Sequence, residues 1–195
     1  TSLLKDLRPE KVLVITASAD TVLDLSSYLK TTQGIDAAVF HEDMSMVERD
    51  RAAAFFADKI SGSQVMICSE IGSEGRNFQF AHHLVLFDLP LDPDLLEQRI
   101  GRLDRIGQTE TINIHVLYLR NSAQEIMYNW YHTALDAFEN TCPTGYSVFS
   151  QVEEDILEIL HQPELDNSAI IDKSRGLHDA FTLALQQGRA RLLEF

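Results

Sequence analysis

KVLVIT, residues 11–16, is the stretch that decides the fold. It is an almost unbroken run of β-branched and aliphatic residues with no polar alternation. Such a run is typical of a strand that is buried on both faces, as the strands of parallel sheets are. Similar short runs recur along the chain at residues 37–40, 64–69, 83–88 and 112–119.

Between these runs, apolar residues recur at helical spacing. The segments concerned are residues 22–29, 47–56 and 93–105. Strands that alternate with helices predict the α/β class, with a parallel sheet covered by helices on both faces. Ligands of such sheets bind at the carboxyl ends of the strands, so we expect the functional site in the loops after Thr16, Ser69 and Asp88.

The composition excludes several classes of protein. The 195 residues have a formal net charge of -14, and the acidic residues are spread along the chain, so it is not a free-standing nucleic-acid binder with a basic face. No apolar run approaches the roughly 18 residues that span a bilayer, and we expect an intracellular protein without a membrane partner. The two cysteines are far apart in the sequence, which argues against a zinc site, and Cys68 is predicted to be a buried thiol. The start at Thr1, in mid-pattern, suggests a piece of a larger protein.

A helical region is predicted after the last strand. Ser122 and Glu125 have the spacing of a capping box, which predicts a helix through Phe138. Residues 142–150 then indicate a break, followed by an acidic helix over residues 151–160 and a turn at Pro163. A last helix has one apolar face, formed by Leu177, Ala180, Phe181, Ala184 and Leu185. We therefore predict one domain over residues 1–140 and a helical appendage over residues 141–195.

QRIGRLDRIGQ, residues 98–108, concentrates positive charge in this acidic chain. If residues 95–106 form one helix, a turn of about 100° per residue places Gln98, Arg102 and Arg105 in a single stripe. Two guanidinium groups held together suit the oxygens of a phosphate. A solvated polar face, with ion pairs to acidic neighbours such as Asp104, explains the pattern equally well.

Two further stretches lie at expected strand ends. In CSEIGSEGRNF, residues 68–78, Gly72 and Gly75 permit a turn with open backbone amides, and Glu74 could accept hydrogen bonds from a ribose, a loop amide or an arginine; an ordinary strand-to-helix turn is the alternative. In FDLPLDP, residues 87–93, Asp88 is placed like the magnesium-holding carboxylate of a nucleotide hydrolase. No Gly-Lys-Ser/Thr phosphate loop occurs, so we expect Asp88 to end its strand and fix the turn into the arginine helix.

Together the three stretches resemble the second RecA-like lobe of superfamily-two helicases, and among these the Swi/Snf-type DNA translocases. Residues 68–77 are similar to the fifth motif of that family, and residues 98–108 are similar to its sixth motif, including the Ile-Gly-Gln ending at residues 106–108. Asp88 with residues 91–93 matches the segment between them, and residues 11–16 with residues 44–56 resemble earlier parts of the lobe. The resemblance covers residues 1–140, and it implies a RecA-like, P-loop NTPase-like sheet.

The resemblance also implies roles for individual residues. ATP with Mg would lie between two lobes, with the phosphate loop and the metal carboxylates on a first lobe and no metal ligand on this chain. Arg105 would be the arginine finger and Arg102 its partner on the γ-phosphate. The family pattern further implies that Gln98, Gly72, Glu74 and Gly75 contact the nucleotide. It also implies that Ser69, Asn77 and Asp88 couple the lobe to nucleic acid. Glu70, Ser73 and Leu91 depart from the pattern, which puts the DNA contacts in doubt.

Within the family, the sequence is most similar to bacterial RNA polymerase-associated ATPases. This likeness implies double-stranded DNA, RNA polymerase and a first RecA-like lobe as partners, a role in transcription regulation and polymerase recycling, and a place at the bacterial nucleoid in the cytoplasm. The chain alone is expected to be inactive. The alternatives are a lobe of another DNA or RNA helicase, which the Ile-Gly-Gln ending disfavours, and a protein-docking module with a merely structural arginine helix. A free-standing Rossmann-like nucleotide binder is a third alternative, disfavoured because both GxGxxG and a phosphate loop are absent.

Overall fold

A computed structural model describes residues 2–70, 78–104 and 107–193, with side chains described as far as residue 188. All five apolar runs form strands, which confirms the predicted α/β class. The strands are β1 (Val12–Thr16), β2 (Ala38–Phe40), β3 (Val65–Ser69), β4 (His83–Leu86) and β5 (Asn113–Val116). They form one parallel sheet in the order β2-β3-β1-β4-β5.

Strands β1, β3 and β4 are buried on both faces, as their unbroken apolar runs require, whereas the edge strand β5 is partly exposed. Val12 and Val14 belong to a cluster with Leu4, Val22 and Leu29 on one face. The alternate residues of the same strand point to the other face because the side-chain period of a strand is two. These residues and their neighbours in the sheet are also fully buried; they include Leu13, Ile15, Met66, Cys68, Leu84 and Leu86. The prediction of a buried Cys68 thiol is confirmed.

Helix α1 (Ser2–Asp6) precedes β1, and helices α2 (Ala19–Gln33) and α3 (Met46–Ala57) connect β1 to β2 and β2 to β3. Helix α2 begins at the N-cap Ser18 and ends at Gly34, whose φ of 65° is the left-handed conformation that glycine adopts at helix ends. Helix α3 begins with a capping box, in which the Ser45 and Glu48 side chains each bind the other residue's backbone. These local signals place the ends of the helices that flank the sheet.

The chain divides into two compact units. Unit 1 comprises Thr1–Asp88 and Gln98–Leu117, and it contains the sheet. Unit 2 comprises Leu89–Glu97 and Tyr118–Phe195. Its helices after the sheet are α5 (Ala123–Asn129), a π-helical segment (Trp130–Ala134), α6 (Gly145–His161) and α7 (Ser168–Leu193). The functional boundary after residue 140 stays a prediction.

The helix expected over residues 95–106 is shorter than predicted. Helix α4 runs from Pro93 to Ile100 and is followed by tight turns, in which the amide of Arg102 binds the carbonyl of Arg99 and the amide of Leu103 binds the carbonyl of Ile100. Gly101 follows the last helical residue, and glycine is a poor helix former. The prediction that Gln98, Arg102 and Arg105 form a single stripe is therefore wrong, because it assumed one continuous helix.

The helical region after the sheet also differs from the prediction. Ser122 is the N-cap of α5, but its hydroxyl donates to the carbonyl of Leu119 and makes no capping bond. The helix reaches only Ala134, through the π-helical segment, and not Phe138. The predicted break is shorter as well, because α6 begins at Gly145. Buried Ser174 and Ile170 extend the apolar face of α7, whereas Ala180 and Ala184, which the sequence pattern places on that face, are exposed.

Candidate functional site

Polar side chains meet at the carboxyl edge of the sheet in unit 1. Thr16 ends β1 and lies opposite Ser69, which ends β3. Asp88 follows β4, and its Oδ2 accepts hydrogen bonds from Thr16 Oγ1 at 2.8 Å and from the Ala17 amide at 2.9 Å. Two of the three strand ends that the sequence indicated are thus joined directly by one carboxylate.

A buried arginine joins this carboxylate to the end of β3. The side chain of Arg99 is 2% exposed. Its Nε donates to Glu70 Oε1 at 2.7 Å, and its Nη2 lies 2.5 Å from the same oxygen. Its Nη1 donates to the carbonyl of Asp88 at 2.6 Å and to Asp88 Oδ1 at 3.0 Å. One guanidinium therefore ties α4 to the exits of two strands, in the forked geometry that arginine offers to oxygen acceptors.

A second carboxylate links β2 to β3. Glu42, two residues after β2, accepts a hydrogen bond from the hydroxyl of Ser69. This bond is the main reason why the pKa of the Glu42 carboxyl lies below its ordinary value. The Glu42 backbone carbonyl accepts from Arg49 Nη2 at 2.6 Å. Glu42 is therefore held by residues of both β3 and α3.

We call these side chains the edge network: Thr16, Glu42, Ser69, Glu70, Asp88 and Arg99. Ser69 and Glu70 are consecutive, so the network runs without a gap from the exit of β2, through those of β3 and β4, to that of β1. Charge-assisted bonds between buried or half-buried groups are stronger than exposed ion pairs. The network makes the carboxyl edge a connected polar frame beside residues 98–104, which we call the arginine segment.

The arginine segment begins next to this frame. Arg102 is buried, at 9% exposed, and its amide binds the carbonyl of Arg99. Gln98 is exposed, so it does not share a buried face with Arg102. Arg105 lies outside the described residues. So do Gly72, Glu74, Gly75 and Asn77, the other predicted contacts.

The expected role of Asp88 in fixing the turn into the arginine segment agrees with the geometry. Its carboxylate oxygens accept from Thr16, Ala17 and Arg99, and so they are poorly placed to hold a cation. Over residues 2–70, 78–104 and 107–193, no group of three or more His, Cys, Asp or Glu side chains could hold a metal ion.

Arg99 was not among the site residues that the sequence indicated, although a signal for it existed. It lies three residues after Leu96, which is fully buried, so the spacing places both on the apolar side of α4. An arginine on the apolar side of a helix must find buried partners, because an unpaired buried charge is costly. The sequence could not show which carboxylates those partners are.

Known protein families match both parts of the chain. A model of the helicase conserved C-terminal domain matches residues 1–107, more than half of the chain. The chain belongs to the helicase conserved C-terminal domain family. The edge network and Arg102 lie within this helicase domain. A second model, for the RNA polymerase recycling family C-terminal region, matches residues 111–195.

Individual relatives agree with this assignment. The chain is 58% identical over 189 residues to the RNA polymerase-associated protein RapA of Klebsiella pneumoniae (strain 342). The match covers 96% of this chain and 20% of that protein, so the chain spans about a fifth of the length of this relative. Among solved structures, the C-terminal part of the Fun30 ATPase domain is similar at a TM-score of 0.58 and 25% identity, over 80% of this chain and 52% of that one.

The Sulfolobus solfataricus SWI2/SNF2 ATPase core, solved in complex with dsDNA, is similar at a TM-score of 0.55 and 23% identity, over 77% of this chain and 31% of that one. At this identity the likeness supports the fold alone. The helicase domain is therefore a RecA-like C-terminal lobe, as its parallel sheet and flanking helices require. None of the helices in the described part of the chain is long and apolar enough to cross a bilayer.

Proposed function

We propose that this chain contains the second motor lobe of an ATP-driven, double-stranded DNA translocase that associates with RNA polymerase. The observation that carries the proposal is the buried Arg102, which lies beside the edge network in a helicase C-terminal domain. The similarity to RapA and the match of residues 111–195 to a polymerase recycling family support the polymerase association. Such a protein would act in transcription regulation, in the bacterial cytoplasm and at the nucleoid.

Arg102 and Arg105 would act on the phosphates of ATP. The site would form only when a first lobe, which brings the phosphate loop and the carboxylates that hold Mg, closes on this lobe. When bound, ATP supplies a phosphoryl group whose oxygens gain charge during transfer to water. The two guanidiniums would stabilise this charge, with Gln98 beside them and Gly72, Glu74 and Gly75 on the nucleotide side. Hydrolysis would then depend on lobe closure, which couples it to movement.

The residues assigned to nucleic-acid coupling would act through the edge network. The Ser69 hydroxyl donates to Glu42, and the Asp88 carboxylate accepts from Thr16 and Arg99. Because these polar atoms are already bonded within the protein, they are better suited to fixing the positions of the strand ends than to binding a phosphate backbone. We therefore propose that Asn77 contacts DNA, while Ser69 and Asp88 relay the position of the strand ends.

The decisive experiment measures ATP turnover by this chain joined to its first lobe, with and without duplex DNA. We expect DNA-stimulated turnover in the parent and none above background in this chain alone. An arginine finger contributes about 10³ to 10⁵ in rate, so Arg105→Ala should abolish turnover while ATP still binds. Arg120→Ala removes an exposed arginine and serves as the matched control. Equal rates for Arg105→Ala and the parent would refute the assignment.

The polymerase association needs its own measurement. We expect the whole chain to co-elute with RNA polymerase in size-exclusion chromatography. Charge reversal of the acidic residues of α6, such as Glu153→Lys with Glu154→Lys, should weaken binding if that exposed acidic face is in the contact. Failure of the parent chain to bind would leave the helicase assignment intact and remove the polymerase from its partners.

A further inference from the structure

We propose that Arg99 is a positioning residue, which holds Arg102 in place for the phosphates by binding the exits of two strands. The inference rests on the proposed function and goes beyond it, because it assigns a role to a residue outside the phosphate-binding pair.

The first observation is that the side chain of Arg99 is buried, and that all three of its guanidinium nitrogens are bonded. Its three guanidinium nitrogens make bonds of 2.5–3.0 Å to Glu70 and Asp88, and its side chain is 2% exposed. Both carboxylate side chains are themselves mostly buried, at 23% and 28% exposed. An arginine in this setting keeps a single conformation, because any other would leave a buried charge unpaired.

The second observation is the direct link from Arg99 to Arg102. Helix α4 ends at Ile100, and the chain turns by a hydrogen bond of 3.3 Å from the Arg102 amide to the Arg99 carbonyl. The backbone of Arg102 is thus one turn away from an anchored side chain. Leu103, which follows, is fully buried and its amide binds the Ile100 carbonyl at 3.1 Å. The residues on both sides of Arg102 are therefore fixed. Leu103 is fixed by its burial, and Arg99 is fixed by its hydrogen bonds to Glu70 and Asp88.

The third observation concerns Glu70, one of the residues that depart from the family pattern. Its carboxylate oxygen Oε1 accepts from Arg99 Nε, so the residue after β3 is a partner of Arg99. The departure that puts a direct DNA contact in doubt thus has a structural use, which is to connect β3 to α4.

The test uses this chain joined to its first lobe, with ATP, Mg²⁺ and duplex DNA. We expect Arg99→Met to lower kcat about a hundredfold, the effect of a displacement of about 1 Å in a catalytic group, with KM for ATP changed less than about twofold. Glu70→Gln leaves the Asp88 bonds in place and should lower kcat less. Arg99→Lys supplies one point charge to two acceptors and should fall between Arg99→Met and the parent.

Controls separate positioning from stability. Lys30→Met breaks an exposed ion pair with Asp36 and should keep the parental kcat. Melting curves establish the folded fraction, and rates are expressed per folded molecule. A merely structural Arg99 would leave kcat per folded molecule unchanged. If Arg99→Met does not fold, Glu70→Gln decides alone, and a parental kcat in that variant overturns the inference.

The two proposals fail in different ways. If the joined parent hydrolyses no ATP, the proposed function fails and this inference fails with it. If the parent hydrolyses ATP and depends on Arg105, but folded Arg99→Met and Glu70→Gln keep the parental kcat, only the positioning role is overturned. A fall in kcat with a proportionate rise in KM would also overturn it, because Arg99 would then serve nucleotide binding.

Discussion

The indole Nε1 of Trp130 donates to the hydroxyl of Ser174 at 2.9 Å and joins the π-helical segment to α7. Both residues are buried, at 1% and 0% exposed. Ser174→Ala should lower the free energy of unfolding of unit 2 by about 1–3 kcal/mol, because the indole N–H then loses its partner inside the protein. Trp130 is the single tryptophan of the chain, so its fluorescence during urea unfolding gives the measurement.

Ser150→Ala is the matched control for that substitution. Ser150 is exposed on α6 and donates only to a carbonyl of its own helix. Its replacement should change the free energy of unfolding by less than about 0.5 kcal/mol. Equal effects of the two serine variants would contradict a stabilising role for the Trp130–Ser174 bond.

Replacing either of two glycines by alanine should change the free energy of unfolding, in opposite directions. A Cβ atom at Gly62 would collide with the backbone carbonyl oxygens of Phe55 and Asp58. Gly62→Ala should therefore cost about 3 kcal/mol, because backbone must move to admit the methyl group. Gly176 lies in α7 with open space around it, and Gly176→Ala should add about 0.5–1 kcal/mol through helix propensity. Thermal melting of both variants beside the parent tests the pair, and a tolerated alanine at residue 62 would contradict the close backbone approach at this turn.

The stability of unit 1 should depend on pH through two histidines. His83 Nδ1 lies 3.2 Å from His115 Nε2 across β4 and β5. Burial lowers the pKa of both rings, and the neighbouring His82 and His115 lower that of His83 further, whereas Glu10 opposes this. Above pH of about 7.5 both rings are neutral in the folded and unfolded chain, and they add no pH dependence.

Acidification should therefore destabilise the sheet. As the pH falls through about 6.5, the unfolded chain takes up protons that the folded chain resists, so the free energy of unfolding falls by at most about 1.4 kcal/mol per pH unit for each histidine. In the variant His115→Gln, the glutamine side chain can still bind His83 but does not titrate. The variant should therefore show a smaller change of melting temperature with pH between about pH 5.5 and 7. The exposed His161→Gln is the control. An unchanged slope in His115→Gln would contradict the assignment.

Cys142 should be an unreactive thiol in the folded chain. Burial, and then the nearby Glu97 carboxylate, raise the pKa of its thiol to about 11. The thiolate is the reactive form, so at about pH 8 we expect alkylation by iodoacetamide to be slower than that of an ordinary exposed cysteine by about 300-fold. Mass spectrometry of native and urea-unfolded protein measures the rate at this residue. Rapid labelling in the native state would show that the loop around Cys142 opens readily.

Much of the fold could be predicted from the sequence, because its signals are local. The apolar runs become the five parallel strands, and each strand end lies within three residues of the predicted one. Thr16, Ser69 and Asp88 mark the strand ends where the sequence predicts the site, and Thr16 and Asp88 are in direct contact. The segment 98–108 also identified the helicase family. These features depend on neighbours in the chain, and the pattern of side chains is enough to indicate them.

The tertiary structure alone decided which polar groups work together. Periodicity predicted a stripe with Gln98 and Arg102, but α4 ends at Ile100 and Gln98 is exposed. Arg99, which is outside that stripe, is buried and bonded to two carboxylates. Its partners, Glu70 and Asp88, follow different strands, and they meet it only because β3 and β4 flank β1 in one parallel sheet. An ion pair between residues far apart in the chain leaves no periodic trace. Such pairs depend on strand order, which is a property of the assembled sheet and not of any one segment.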